Sequence, residues 1–228
     1  MGRRKDLESM NILAIETTSR LASVAIRDNQ GKITEEGSKE PLSHLQNLMP
    51  MIDTLLARCQ LQLDDIGLIA VSVGPGSFTG IRIGIASAKA LAQFLGIKII
   101  PVPTLQAMAY GYPDYSGLLC PMLDARRGQV YAACYSATPS NAAENPLEVV
   151  KPGPYMETEF RLLVDEVNQQ GQPLFLGEKE QKAINIAKLG FDLYNKGMEF
   201  NYYEVKPIYM RKAEAEQKLD EKRKANPI

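Results

Sequence analysis

The stretch GPGSFTGIRIGIASAKALA, residues 74–92, follows a continuous apolar run at residues 66–73. A run of that length, ended by Gly74-Pro75-Gly76, predicts a central strand covered on both faces, and the residues after it predict a helix over 79–94. With another apolar strand at 97–102, the succession strand, helix, strand is a parallel crossover, which makes the fold α/β with a mixed sheet. The glycines admit two readings. Gly74, Gly76 and Ser77 lie in a loop that opens a helix, where backbone amides can cradle an anion. Yet Thr79 stands where the third glycine of GxGxxG belongs and no Lys-Ser/Thr follows Gly80, so neither common nucleotide fingerprint is present. The other reading is architectural: Gly76, Gly80, Gly84 and Ala88 recur every four residues and lay a smooth ridge along which a neighbour can come close. The two roles can coexist in one element.

Upstream, residues 12–15, 21–26 and 32–37 predict an antiparallel meander, turning at 16–20 and at Asp28-Asn29-Gln30-Gly31. Glu16-Thr17-Thr18-Ser19 fill the first turn, and a carboxylate followed by hydroxyls there reads either as a phosphate or Mg²⁺ contact or as an ordinary polar turn. Residues 42–59 carry Leu45, Leu48, Met49, Ile52, Leu55 and Leu56 at three- and four-residue spacing, which marks an amphipathic helix with Pro50 as a kink risk. Asn47 and Met51 lie off that stripe. Methionines such as Met49 and Met51 suit an adaptable partner surface as well as a core.

Downstream, residues 118–123 and 130–135 predict a strand pair around Asp124-Ala125-Arg126-Arg127-Gly128. Asp124, Arg126 and Arg127 offer a carboxylate and two guanidiniums at a strand end, where α/β sheets place ligand groups, or else form a structural pair. Residues 136–153, rich in Pro, Asn, Ala and Ser, read as a surface connection. A helix at 158–169, a strand at 174–177, a helix at 181–196 and a charged tail complete the pattern. The expected organisation is a leader at 1–9, an N-terminal subdomain at 10–103, a smaller C-terminal subdomain at 104–210 and a tail at 211–228.

Composition excludes several function classes. Lys plus Arg total 26 and Asp plus Glu total 27 in 228 residues, so a net charge of −1 supplies no global attraction to a phosphate backbone. Cys59, Cys120 and Cys134 form no CxxC pair and read as small core residues of a reducing compartment, and no apolar run is long enough for a membrane span. A cytoplasmic protein is expected. His44 is the one histidine; it opens a helix and no serine lies in a GxSxG elbow, so neither a histidine metal cluster nor a Ser-His-Asp triad is indicated.

Five blocks in order, residues 12–26, 43–56, 74–92, 123–131 and 207–216, resemble the TsaB/YeaZ family. The resemblance implies the actin-like ATPase (ASKHA, ribonuclease H-like) fold with a shortened C-terminal subdomain, in which Glu16, Thr17 and Thr18, with Gly74, Gly76 and Ser77, stand at a vestigial phosphate site. It implies no required cofactor and at most weak ATP or ADP binding. In the catalytic paralogue TsaD an HxxxH metal motif follows the strand after the glycine helix; Thr104 and Met108 hold those places here, so no metal site is expected. The implied role is a non-catalytic subunit that docks on TsaD and, with the ATPase TsaE, supports formation of N6-threonylcarbamoyladenosine in tRNA, touching tRNA only through the complex. Pairing in the family joins the first helix and the glycine helix of each subunit, which gives His44, Asn47, Leu48, Met51, Gly76, Gly80, Gly84 and Ala88 as the interface, with a homodimer through the same surface as an alternative state. The rival readings are an ATP-using kinase-like enzyme of the same superfamily and a glycoprotease.

Overall fold

A computed structural model describes residues 10–38, 44–137, 147–168 and 171–211. The expected leader 1–9, nearly all of the tail 211–228 and the middle of the connection 136–153 lie outside the described residues, as does the side chain of His44.

The meander forms as expected: β1 (Asn11–Glu16), β2 (Ser23–Arg27) and β3 (Ile33–Gly37) pair antiparallel, and β4 (Ile66–Ser72) and β5 (Lys98–Val102) join parallel, giving the order β3-β2-β1-β4-β5. Alternation along these strands sorts the core into two layers. Leu13, Ile15, Val24, Ile26, Ile69 and Val71 face α1 (His44–Cys59) and α2 (Phe78–Leu95). Ile12, Ala14, Ala25, Leu68, Ala70 and Ile100 face the other way, onto α5 (Ala183–Asn195). The chain therefore crosses back over the boundary expected after residue 103, because α5 is the element that covers the apolar rear face of the first sheet.

Between these passes lies a second sheet in the order β8-β7-β6-β9, built from β6 (Gly117–Asp124), β7 (Gln129–Ala137), β8 (Leu147–Met156) and β9 (Leu174–Leu176). One face packs on the short α3 (Thr104–Tyr110), through Leu105, Met108 and Ala109, and the other on α4 (Glu157–Val167), through Phe160 and Val164. Cys120 and Cys134 lie side by side across β6 and β7 in that second layer, 3.5 Å apart, as small core residues. The strand β8 corrects the expected connection at 136–153. It carries Pro152 and Pro154 because it is an edge strand, where a missing amide donor costs no ladder bond.

Helix α1 corrects the expected partner face. Leu48, Met51, Ile52, Leu55 and Leu56 are buried in the first core, whereas Met49 is 42% exposed. Spacings of three, four, seven and eight from Leu48 set the buried face, so Met51 is on it and Met49 is turned off it.

Candidate functional site

The turn after β1 and the loop after β4 meet at the carboxyl ends of two parallel neighbours, where an α/β sheet presents its ligand crevice. The residues expected at a phosphate site are brought together there, and they face one another. Glu16, Thr17 and Thr18 are buried. Glu16 Oε1 accepts from the Thr18 amide (2.5 Å) and the Thr18 hydroxyl (2.6 Å). The Thr17 hydroxyl donates to the Gly80 carbonyl at 2.7 Å, and the Ser77 amide donates to the Thr18 carbonyl at 2.7 Å. Ser77 also caps α2, its hydroxyl accepting from the Gly80 amide at 3.2 Å. The Thr17 hydroxyl and the Ser77 amide thus close the turn onto the loop, the Thr18 and Ser77 hydroxyls are already bonded to Glu16 and to the Gly80 amide, and a phosphate would displace these bonds to reach them.

Burial raises the Glu16 carboxyl above its ordinary value, partly offset by hydrogen bonds from the Thr18 and Ser72 hydroxyls. Glu16 Oε2 has no hydrogen-bond partner among the described residues. A carboxyl in this position either keeps its proton or presents a negative charge, and neither attracts a phosphate.

Three residues that sequence reasoning missed complete the cluster. Gln181, buried at the start of the return segment, donates through Nε2 to the Thr18 hydroxyl at 3.0 Å. Glu178 Oε1 accepts from the Arg20 amide at 2.8 Å. Ser72 bonds the Thr104 hydroxyl at 2.7 Å, which itself stands 3.4 Å from Thr18 Oγ1. Gln181 is 163 residues from its partner, so no local pattern announces it.

The glycine ridge also turns inward, which corrects its assignment to a partner. A Cβ on Gly80 would overlap the Thr17 carbonyl, one on Gly84 the Thr17 hydroxyl, and one on Gly76 would lie 2.6 Å from the Thr18 carbonyl. Ala88 is fully buried in the first core. Of the expected interface residues, Leu48, Met51, Gly80, Gly84 and Ala88 are thus interior, and Asn47 is half-buried. The outward face of α2 carries Arg82, Ala86, Ala90, Gln93 and Phe94 instead, with Phe94 76% exposed.

At the β6–β7 turn Asp124 accepts the Arg126 amide at 2.7 Å, and Arg126, Arg127 and Gly128 all take left-handed backbone conformations (φ 65°, 55° and 72°). The carboxylate shapes the turn, and the motif lies on the second sheet, apart from Glu16 and Thr18.

A family model described as "TsaD: tRNA N6-adenosine threonylcarbamoyltransferase" matches residues 35–160, more than half of the chain. The chain is 39% identical over 126 residues to the tRNA threonylcarbamoyladenosine biosynthesis protein TsaB of Bacillus subtilis (strain 168) and 40% identical over 128 residues to the protein of the same name from Escherichia coli (strain K12), covering 55% of each chain in both cases. The chain belongs to the TsaB/YeaZ family. It spans about half the length of the curated relatives it matches. YeaZ from Pseudomonas aeruginosa shares the fold, with a TM-score of 0.72 at 22% identity over 88% of this chain and 99% of that one. The fold of this TsaB/YeaZ-family chain is the actin-like ASKHA type, with two mixed sheets flanked by helices. Thr104 and Met108, the residues that the resemblance sets against the two histidines of the TsaD motif, are a buried hydroxyl bonded to Ser72 and a buried side chain of the second sheet's core. Among the described residues no three of His, Cys, Asp and Glu gather as a metal-holding group, and no helix is long and apolar enough to cross a membrane.

Proposed function

We propose that this chain is an accessory subunit in the biosynthesis of threonylcarbamoyladenosine in tRNA, docking on TsaD and supporting transfer of the threonylcarbamoyl group without performing it. The family membership supports the pathway, and the closure of the crevice by Glu16, Thr18, Gln181 and Ser77 is the observation that supports a non-catalytic role. The same closure disfavours the kinase-like reading, since a transferable phosphate needs open donors at this turn. A lone histidine at the start of α1 disfavours the glycoprotease reading.

The docking surface consistent with these packing directions is the outward face of α1 and α2, where Met49, Ala86, Ala90 and Phe94 leave apolar surface beside small residues. TsaD occupies this face in the working complex, a second copy of the chain competes for it, TsaE joins the complex as ATPase, and tRNA is reached through the complex. The chain itself requires no cofactor and works in the cytoplasm. The test is tRNA modification in vitro with purified TsaD, TsaE and threonylcarbamoyl-adenylate. Product that forms only when this chain is added, with no turnover by the chain alone, is the expected result; ATP hydrolysis or product without TsaD would contradict it.

A further inference from the structure

After α5 the chain does not stop at the first sheet. Val205, 2% exposed, is part of the first core. Three residues on, the Ile208 amide donates to the Val73 carbonyl at the end of β4 (2.8 Å), and the Ile208 carbonyl covers Gly74, where a Cβ would lie 2.6 Å away. Gly74 has φ +108°, so no side chain belongs there on either count. Tyr209 then stacks on Phe78 with ring centroids 4.7 Å apart. Arg82 lies over the same Phe78 ring at 4.0 Å and donates through Nε to the Tyr209 hydroxyl at 3.0 Å. Met210 packs against the core of the second sheet. Arg211 donates through Nη1 to the Ala125 carbonyl in the β6–β7 turn at 2.8 Å. Seven consecutive residues therefore touch the first core, the glycine loop, the first turn of α2, the second core and the second sheet's turn.

We infer that residues 205–211 form a latch that holds the two sheets in a fixed relation, with the Phe78-Tyr209-Arg82 stack as its clasp and the Arg211 bond as its far anchor. Each contact is modest, an aromatic pair, a cation over a ring or one charge-assisted bond. A chain tethered at both ends makes them cooperate, because releasing one end lowers the effective concentration of the other. Tyr209 and Ile208 are 38% and 39% exposed, so the middle of the latch lies at the surface, and residues 208–211 can lift while Val205 stays in the first core. Opening it frees the Val73 carbonyl, Gly74 and the start of α2 on one side and the turn at Ala125 on the other.

This inference is independent of the proposed function and is tested on the chain alone by hydrogen–deuterium exchange with peptide resolution. In Tyr209→Ala, amides at 74–82 should exchange about tenfold faster through local opening, and so should amides at 125–130, which Tyr209 does not touch. Arg211→Ala should show the reciprocal pattern, reaching 74–82. Exchange across α4 should not change in either. Faster exchange only at the end that was mutated, or at neither end, would overturn the latch. If Tyr209→Ala proves too unstable to study, Tyr209→Phe keeps the ring and removes the acceptor for Arg82, and the same two-ended response, smaller in size, is expected of it; a one-ended response or none would again overturn the proposal.

Discussion

Helix α2 has small residues on both sides, and the two sides do different things. On the inner side Gly80 and Gly84 exist because Thr17 lies where their side chains would be, and Ala88 is sealed in the core. On the outer side Ala86 and Ala90 face outward, leading to the exposed ring of Phe94. Small residues at four-residue spacing thus mark close approach without saying to what. The inner approach is to the chain's own β1–β2 turn, and the outer surface is the one proposed for a partner.

The sharpest way to break this contrast is Gly84→Leu. If the ridge is interior, the new side chain collides with Thr17 and the protein loses roughly 3 kcal/mol or more of stability, or does not fold, as read by denaturant unfolding. Unchanged stability would return the ridge to the surface. Next in size, Ala90→Glu on the outer face should leave stability within about 0.5 kcal/mol of wild type, while titration against TsaD shows affinity weakened more than tenfold. Unaltered affinity would remove this face as the docking site. Phe94→Ala should follow in the same direction with a smaller loss, about 1 kcal/mol of binding and little of folding.

The smallest effect is one of pH. Folded Glu16 holds its proton more tightly than unfolded Glu16, whose ordinary value is 4.5. This residue therefore favours the folded state most below that value, and its contribution is lost as pH rises through the folded-state value. Glu16→Gln keeps an acceptor for Thr18 and removes the titration, so its unfolding free energy should fall less than that of wild type as pH rises above about 4.5. Parallel pH profiles for the two proteins would mean that the crevice carboxyl is not desolvated.

The parts of the fold that depend on local pattern were legible. The apolar run at 66–73 became β4, Ile66–Ser72, and the helix expected at 79–94 became Phe78–Leu95, bounded by the Ser77 cap and the left-handed Gly96. The members of the crevice, Glu16, Thr17, Thr18, Gly76 and Ser77, were also named by their chemistry. Directions were not legible. Spacing of four has no inside or outside until Thr17 is placed, and it lies 63 residues from Gly80 in sequence. Gln181 and Glu178 arrive on a segment that only the return of α5 to the first sheet explains. Pro152 and Pro154 disguised β8 as a loop, since proline speaks against a strand except at an edge, and edges are a property of the assembled sheet.

The measurement that bears most directly on the account is reconstituted tRNA modification by TsaD and TsaE, run with wild-type chain and with Ala90→Glu at equal concentration after both are shown to melt alike. Modified tRNA with the wild type, and little or none with Ala90→Glu, is the predicted outcome for a closed, non-catalytic subunit that acts by docking through the outer face of α2. Full modification with Ala90→Glu, or product formed by the chain without TsaD, would contradict it.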